Sequence, residues 1–375
     1  MTAERKVVAQ PQSKQDVLKL PRHDPLKYLT PRHMREEWWI EDGQDKDLLM
    51  LLANKNQATW DQVVVKVLNM IRCREFTEYN SKTDLVVPTR FCQYNIAFFD
   101  LDKESAVVPR PPISKITAAN FWCLEHSVNV ISIKVAESDV GYPIYIYGTI
   151  LARDQYDYRC IYLFKRGMDN PQLIMSPDDM LTLAGPFQAL AVTDSMFFEF
   201  HLKIKRVGLV DQDLSKCLLE HNTSHHTCQP RTVSLKSYLS TVSPVSFGVE
   251  ASLDVKVLNG PSSFIGKIAA CTTESKSRMI LYNCKVAGTW IKLGTGGSVA
   301  LTRRIVAVPL DEGLVLDVSY GAECFEVTLW YEHEVEQFTL TLGPYELQVE
   351  VIWTAIERCR RPKMLEHIGH VEVLW

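Results

Sequence analysis

Apolar and polar residues alternate along several segments in the second half of this 375-residue chain. In the segment 198–205 every second residue is apolar, and the residues between them are polar. The apolar set is Phe198, Phe200, Leu202 and Ile204, and the polar set is Glu199, His201, Lys203 and Lys205. Successive side chains of a β-strand point to opposite faces of a sheet, so this pattern predicts a strand with one buried face. Leu253 to Val257 and Phe338 to Leu342 repeat it.

Such patterns, and the turn residues between them, predict a series of short strands. They lie at 128–136, 144–153, 159–165, 188–193, 196–205, 245–258, 263–271, 278–284, 299–309, 313–319, 323–331, 336–342 and 346–355. Residues 206–236 are polar and are expected to form a loop. Even spacing, with Gly, Pro, Asn and Ser between the strands, favours a mainly β fold over alternating strands and helices. The expected architecture is an antiparallel β-sandwich or barrel with a small N-terminal helical segment.

The N-terminal third has a different pattern. Residues 1–33 mix charged residues, Gln and Pro with few aromatics, which is typical of a flexible tail. Thr59 to Gln62 fits a helix capping box ahead of apolar residues at helical spacing (Val64, Val67, Leu68 and Ile71). Prolines at 109, 111 and 112 then mark a linker. We therefore divide the chain into a tail (1–33), a small helical segment with its linker (34–112), a β-rich domain (113–357) and a C-terminal extension (358–375).

Composition narrows the classes of partner. Lys and Arg number 41 against 45 Asp and Glu, so the net charge of −4 provides no global basic field for nucleic acid or anionic membrane. No stretch approaches the roughly 20 apolar residues of a membrane helix, and the first 20 residues lack the apolar core of a secretion signal. Ten scattered cysteines, many inside predicted strands, are interpreted as reduced core residues. These features predict a cytoplasmic or nuclear protein that does not enter a membrane.

One cluster of residues could bind a metal ion. Cys217, His221, His225 and Cys228, with His226 beside them, are suitable zinc ligands. If Asp213 to His221 were helical, Cys217 and His221 would share one helix face. The alternative is a polar surface loop with incidental histidines, because the spacing of common zinc modules is not met. Zinc is the only cofactor that the sequence suggests.

The other segments that resemble functional motifs do not form a convincing catalytic site, which favours a protein that is not an enzyme. Asp100 and Asp102 resemble the opening of haloacid-dehalogenase-type phosphatases, but the segment lacks the α/β context of those enzymes, so both are interpreted as turn-forming or surface carboxylates. Trp330 and Trp353 lie in predicted strands and are expected in the core. Arg303 and Arg304 are interpreted as solvated or edge-protecting charges, with a weak RNA-binding or acidic-partner patch as the alternative.

Several separated motifs resemble a known family. They lie at 98–105, 141–148, 152–154, 162–166, 183–186, 192–194, 198–205, 265–272, 303–308 and 347–353, and together they span about residues 88–357. They resemble a domain-of-unknown-function family of cereal grasses that also forms the C-terminal domain of jasmonate-induced ribosome-inactivating proteins. The catalytic pair of the toxin domain has only a superficial match at Glu357 and Arg360, so the resemblance implies the non-catalytic partner domain.

Pattern and resemblance together lead to two hypotheses of function. The first is a non-enzymatic, β-rich protein-interaction domain in plant stress, defence or developmental regulation, with a protein partner. The second, implied by the proteins in which its relatives occur, is a regulatory protein associated with the ribosome or with RNA. RNA that co-purifies with the protein, and is released by salt, would favour the second.

Overall fold

The computed structural model describes residues 75–80, 85–91, 100–107, 109–117, 119–154, 158–192, 195–206, 208, 210–222, 231–235, 238–286 and 289–357. Two units can be distinguished: residues 1–99 with 365–375, and residues 100–364. The described part of the first unit is a hairpin, and the second unit contains the larger sheets. Among the described residues, no helix is long and apolar enough to cross a membrane.

Strands form most of the regular structure in these residues. In chain order they are β1 (Thr77–Asn80), β2 (Leu85–Pro88), β3 (Ser127–Val135), β4 (Ile144–Arg153), β5 (Ile161–Arg166), β6 (Gln172–Ile174), β7 (Leu190–Ala191), β8 (Ser195–Ile204), β9 (Gln212–Asn222), β10 (Arg231–Leu235), β11 (Tyr238–Val245), β12 (Gly248–Asn259), β13 (Lys267–Thr272), β14 (Met279–Asn283), β15 (Ile305–Pro309), β16 (Leu314–Tyr320), β17 (Glu323–Leu329), β18 (Val335–Leu342) and β19 (Tyr345–Ala355). Short 3-10 helices lie at Ile113–Lys115, Phe121–Cys123 and Thr295–Gly297.

Residues 127–355 form two pairs of antiparallel sheets, each pair with its own buried core. In the first sandwich, the sheet β10-β11-β3-β7 faces the sheet β5-β4-β8-β9, in which β6 also pairs with β4. In the second sandwich, the sheet β15-β12-β19-β18 faces the sheet β14-β13-β16-β17. The prediction of a mainly β, antiparallel fold is confirmed, and none of the described sheets closes into a barrel.

The alternating patterns lie where the sequence predicted strands. Phe198, Phe200, Leu202 and Ile204 of β8 are buried in the first core, and Leu253, Val255 and Val257 of β12 are buried in the second. Glu199 is an exception, because it lies on the polar face of β8 and is nevertheless buried. Its partner, described below, explains why.

The polar segment 206–236 does not form the expected loop, because it contains β9 and β10. Among the described strands, β9 is the last of its sheet and pairs only with β8, so much of its surface is partly exposed. A register shift between Leu202 and Lys203 of β8 leaves Leu214 of β9 without an opposite residue. This bulge breaks the alternation of β9, so its apolar residues do not show a period of two.

The N-terminal helical segment was predicted from residues that lie outside the described part of the chain. The described residues of 34–112 include an antiparallel hairpin of β1 and β2, with Glu78 opposite Val87. Thr89 closes the hairpin, because its backbone N–H and its hydroxyl both donate to the Phe76 carbonyl at 2.8 Å. The predicted tail (1–33) and C-terminal extension (358–375) also lie outside the described residues.

The two sandwiches meet at a buried junction between β3 and β15. Asn129 of β3 pairs with the backbone of Ala307: its Nδ2 donates to the Ala307 carbonyl at 2.6 Å, and its Oδ1 accepts the Ala307 N–H at 3.0 Å. β15 is the last strand of its sheet, so its outer edge has no neighbouring strand there among the described residues. The Asn129 amide provides the hydrogen-bond partners that such a strand would give to the N–H and carbonyl of Ala307. A small apolar cluster surrounds this contact (Ala189, Val245, Ile305, Ala307 and Ile356).

An ion pair reinforces the same junction. Glu250 of β12 accepts the Ala189 N–H at 2.6 Å and lies 3.1 Å from the Nε atom of Arg110. Arg110 in turn donates to the Ala189 carbonyl at 2.7 Å. The positions of the two sandwiches are therefore fixed by directional contacts as well as by apolar packing.

Candidate functional site

A cavity of about 480 Å³ lies between the two sandwiches. The first sandwich contributes β3, β6 and the loop 175–183, and the second contributes β13, β14 and the segments around Lys285 and Arg303. Its apolar lining includes Ile131, Leu181 and Ile280. The volume falls in the range of about 300–1,000 Å³ that is typical of small-molecule sites.

Arg303 lines this cavity and is only 2% exposed. Its Nη2 donates to the Met279 sulfur at 2.9 Å, and its Nη1 makes a long contact of 3.4 Å to the Ile131 carbonyl. Sulfur is a weak acceptor, and the Nε of Arg303 has no hydrogen-bond partner within the described residues. Burial lowers the pKa of Arg303 to about 10, so the guanidinium still carries its charge at neutral pH.

A second concave surface lies elsewhere on the 100–364 unit. We call it the groove; it has a volume of about 590 Å³, and Ile116, Phe121, Leu310 and Tyr331 form part of its lining. Glu332 and Glu334 also line it and are exposed. The groove therefore combines an apolar surface with carboxylates.

Exposed aromatic side chains adjoin the groove. We call Phe121, Trp122 and Phe247 the aromatic patch. The rings of Phe121 and Phe247 meet edge to face at 5.7 Å, and the Trp122 side chain is 64% exposed. Both Phe121 and Trp122 belong to a 3-10 helix in which no residue is buried.

The turn that carries the aromatic patch is held by its own hydrogen bonds. Asn120 accepts the Thr117 N–H at 2.6 Å through Oδ1, and its Nδ2 donates to the Lys115 carbonyl at 3.0 Å. The indole N–H of Trp122 donates to the Ala119 carbonyl at 3.0 Å. These hydrogen bonds hold the Trp122 side chain in its exposed position, so its exposure is a fixed feature of the turn.

A third polar constellation is structural and lies in the first sandwich. Arg153 of β4 is fully buried and binds Glu199 of β8 through two contacts, Nε to Oε1 at 2.7 Å and Nη2 to Oε2 at 3.1 Å. Arg153 also donates to the carbonyls of Tyr158 and Leu101 at 2.9 and 2.8 Å. This pair explains why Glu199 is buried on the polar face of its strand.

Residues 127–351, which include both sandwiches except the last four residues of β19, match a family described as a domain of unknown function, DUF6598. The chain belongs to the DUF6598 family. No curated protein matches it.

Solved structures similar to this DUF6598 chain are distant. Human GIVD cytosolic phospholipase A2 is 10% identical with a TM-score of 0.19, and the match covers 64% of this chain and 31% of the phospholipase. The calcium-bound pair of C2 domains from extended-synaptotagmin 2 is 8% identical with a TM-score of 0.22, and the match covers 63% of this chain and 98% of that one. The chain thus spans about a third of the phospholipase, and neither likeness supports an argument about function.

The predicted zinc ligands lie partly in a strand of the DUF6598 chain. Cys217 and His221 belong to β9, so the helix that would place them together does not form. Four residues along a strand span about 13 Å, which is too far for two ligands of one ion. His225, His226 and Cys228 lie outside the described residues, and within those residues no group of three or more His, Cys, Asp or Glu could hold a metal. A zinc site in which Cys217 or His221 joins His225 and Cys228 stays a prediction, which metal analysis of the purified protein tests.

The remaining residues that the sequence singled out agree with their predicted environments in some cases and differ from them in others. Asp100 is a turn-forming residue as predicted, because its Oδ1 accepts the Asp102 N–H at 3.0 Å. Trp353 is fully buried as predicted, whereas Trp330 follows the end of β17 and is 45% exposed. Arg303 is buried and not solvated, which corrects its interpretation as a surface charge, and Arg304 lies 3.8 Å from Asp254. The six described cysteines form no disulfide, and Cys160 is buried while Cys324 is exposed.

Proposed function

We propose that this DUF6598 chain is a non-enzymatic, β-rich protein-interaction module whose partner binds the groove and the aromatic patch. The observation that carries the proposal is the exposure of Phe121 and Trp122 on a turn that is fixed by its own hydrogen bonds. Exposed aromatic side chains next to a concave apolar surface are a common feature of protein-binding sites, where Trp and Tyr contribute most of the affinity.

The charges at the groove indicate the chemistry of the partner. Glu332 and Glu334 would favour Lys or Arg beside an inserted apolar side chain, and they would repel a phosphate backbone. We therefore infer a protein segment with an apolar residue flanked by basic residues. The buried position of Arg303 and the proximity of Arg304 to Asp254 reduce the basic surface available to RNA.

The biological setting of the proposal comes from the resemblance to the cereal-grass family. It suggests a role in plant stress, defence or developmental regulation, in the cytoplasm or nucleus. Association with the ribosome or with RNA is the second candidate. Its interface would be a group of basic residues in the predicted C-terminal extension, which lies outside the described residues: Arg358, Arg360, Arg361 and Lys363.

Trp122→Ala is expected to reduce partner binding by about 30-fold or more, since truncating an interface hot spot costs about 2 kcal/mol or more. The measurement is a pull-down from plant tissue with the full chain as bait, followed by quantitative mass spectrometry of the proteins that the wild type retains. Glu332→Lys should reduce the same interaction, because it places a positive charge opposite a basic partner.

Trp290→Ala is the matched control, because Trp290 is 65% exposed and lies outside the groove. It should leave the captured proteins unchanged. Equal losses in Trp122→Ala and Trp290→Ala would contradict the proposed surface. A captured fraction that nuclease removes, with a high 260/280 nm absorbance ratio, would support the RNA-associated alternative instead.

A further inference from the structure

Within the part of the chain that the structure describes, three buried polar atoms without a hydrogen-bond partner belong to residues that line the cavity between the sandwiches. They are the Nε of Arg303 and the Oγ1 atoms of Thr182 and Thr289. Buried polar groups in proteins are nearly always hydrogen-bonded, so such a group is unusual and requires an explanation. These residues lie on both sandwiches, with Thr182 on the first and Thr289 and Arg303 on the second.

The buried charge of Arg303 makes this arrangement costly. A buried guanidinium is normally compensated by a carboxylate, but within the described residues Arg303 has only a sulfur and a distant carbonyl as acceptors. Desolvation lowers its pKa, and no charged group among the described residues offsets that effect. An anion placed against Arg303 would supply the missing acceptor.

The carboxylates that line the cavity do not fill this role. Asp179 closes a local turn, where it accepts the Met175 N–H at 2.7 Å and the Ser176 N–H at 3.3 Å. The Asp178 side chain is 95% exposed and lies 3.8 Å from Lys134. Lys267 and Lys285 also line the cavity and are exposed, so they can attract an anion towards it.

We propose that the cavity binds a small organic anion, whose carboxylate or phosphate group pairs with Arg303 and whose apolar body packs against Ile131, Leu181 and Ile280. The Thr182 and Thr289 hydroxyls donate to the same anionic group or to polar atoms next to it. Because the lining comes from both sandwiches, the bound anion bridges them. This inference concerns a different surface from the partner groove and does not rest on the proposed function.

The test uses the full chain and the fluorescent anion 8-anilinonaphthalene-1-sulfonate, which is displaced by octanoate, octyl phosphate or octanol. Octanoate and octyl phosphate should both displace it, and the stronger of the two identifies the preferred anionic group. Octanol has a similar apolar body without the charge and should displace it about tenfold less well or worse, since hydrogen bonds to charged groups are among the strongest.

Arg303→Met should weaken octanoate binding about tenfold or more, while its melting temperature stays equal to or above that of the wild type. Removing an uncompensated buried charge should not destabilise the fold, so loss of binding with retained stability separates ligand recognition from a structural role. Arg304→Met removes the same charge from the exposed neighbouring residue and should leave octanoate binding within about twofold.

Thr289→Val provides a second test if Arg303→Met does not fold, because it removes one partnerless hydroxyl and keeps the volume of the side chain. It should weaken octanoate binding several-fold in a folded protein. Octanol that competes as well as octanoate would overturn the proposal, as would unchanged octanoate binding in folded Arg303→Met or, where that variant does not fold, in Thr289→Val. Absence of any saturable binding by the wild type would do the same.

Discussion

Replacing Arg153 by methionine is expected to lower the free energy of unfolding by about 3–5 kcal/mol, the cost typical of removing one partner from a buried ion pair. Arg153 is fully buried and holds both carboxylate oxygens of Glu199, at 2.7 and 3.1 Å. The substitution leaves the Glu199 charge in the interior without its guanidinium. It also removes the donor to the Leu101 carbonyl. Urea denaturation, followed by circular dichroism, measures the change.

Arg206→Met is the matched control, because Arg206 is exposed and surface substitutions usually change stability by about 0.5 kcal/mol or less. The double variant Arg153→Met with Glu199→Met should recover part of the loss, since it leaves no uncompensated charge. A change below about 1 kcal/mol in Arg153→Met would show that the pair is not a major contributor to stability.

The strands could be predicted where one face of a sheet is buried and the other is exposed. In β12 the buried positions Leu253, Val255 and Val257 alternate with Asp254 and Lys256, so residue polarity reports directly on the two faces. β9 could not be predicted in this way. Its edge position exposes part of both faces, and the bulge at Leu214 shifts the alternation, so the sequence looks like a polar loop.

The polar interior could not be predicted from local patterns, because each contact joins residues far apart in the chain. Arg303 and Arg304 are adjacent and identical in type, yet Arg303 is buried against a carbonyl 172 positions away, at Ile131, and Arg304 is exposed. Contacts of Arg303 with Met279 in the second sandwich and with Ile131 in the first distinguish the two residues. The cavity that Arg303 lines is formed by residues from both sandwiches that lie far apart in the sequence. No motif within one segment could therefore have indicated it.

The aromatic patch was missed for a related reason. Phe121 and Trp122 lie in a short 3-10 helix just before β3, and a three-residue helix has no periodicity that separates a buried face from an exposed one. Their exposure follows from the hydrogen bonds of Asn120 and Ala119, which fix the turn. Asn120 at that turn was the available signal, because Asn side chains often close turns through their own backbone contacts.

The junction between the sandwiches leads to a second large effect, from Asn129→Leu. This substitution should destabilise the protein by about 2–6 kcal/mol, because it leaves both the N–H and the carbonyl of Ala307 buried without their partner, at about 1–3 kcal/mol each. Leucine has a similar branched shape to asparagine but offers no donor or acceptor. The expected result is a lower midpoint in urea denaturation and a lower melting temperature.

Asn170→Leu is the control for this substitution, since Asn170 is exposed and the same change there should cost about 0.5 kcal/mol or less. The two contacts of Asn129, at 2.6 and 3.0 Å, reproduce those of a neighbouring strand at the edge of β15. If these two hydrogen bonds hold the second sandwich against the first, Asn129→Leu should also weaken octanoate binding, because the cavity is lined by residues of both sandwiches. Stability equal to that of Asn170→Leu would show that the edge of β15 is satisfied by other means.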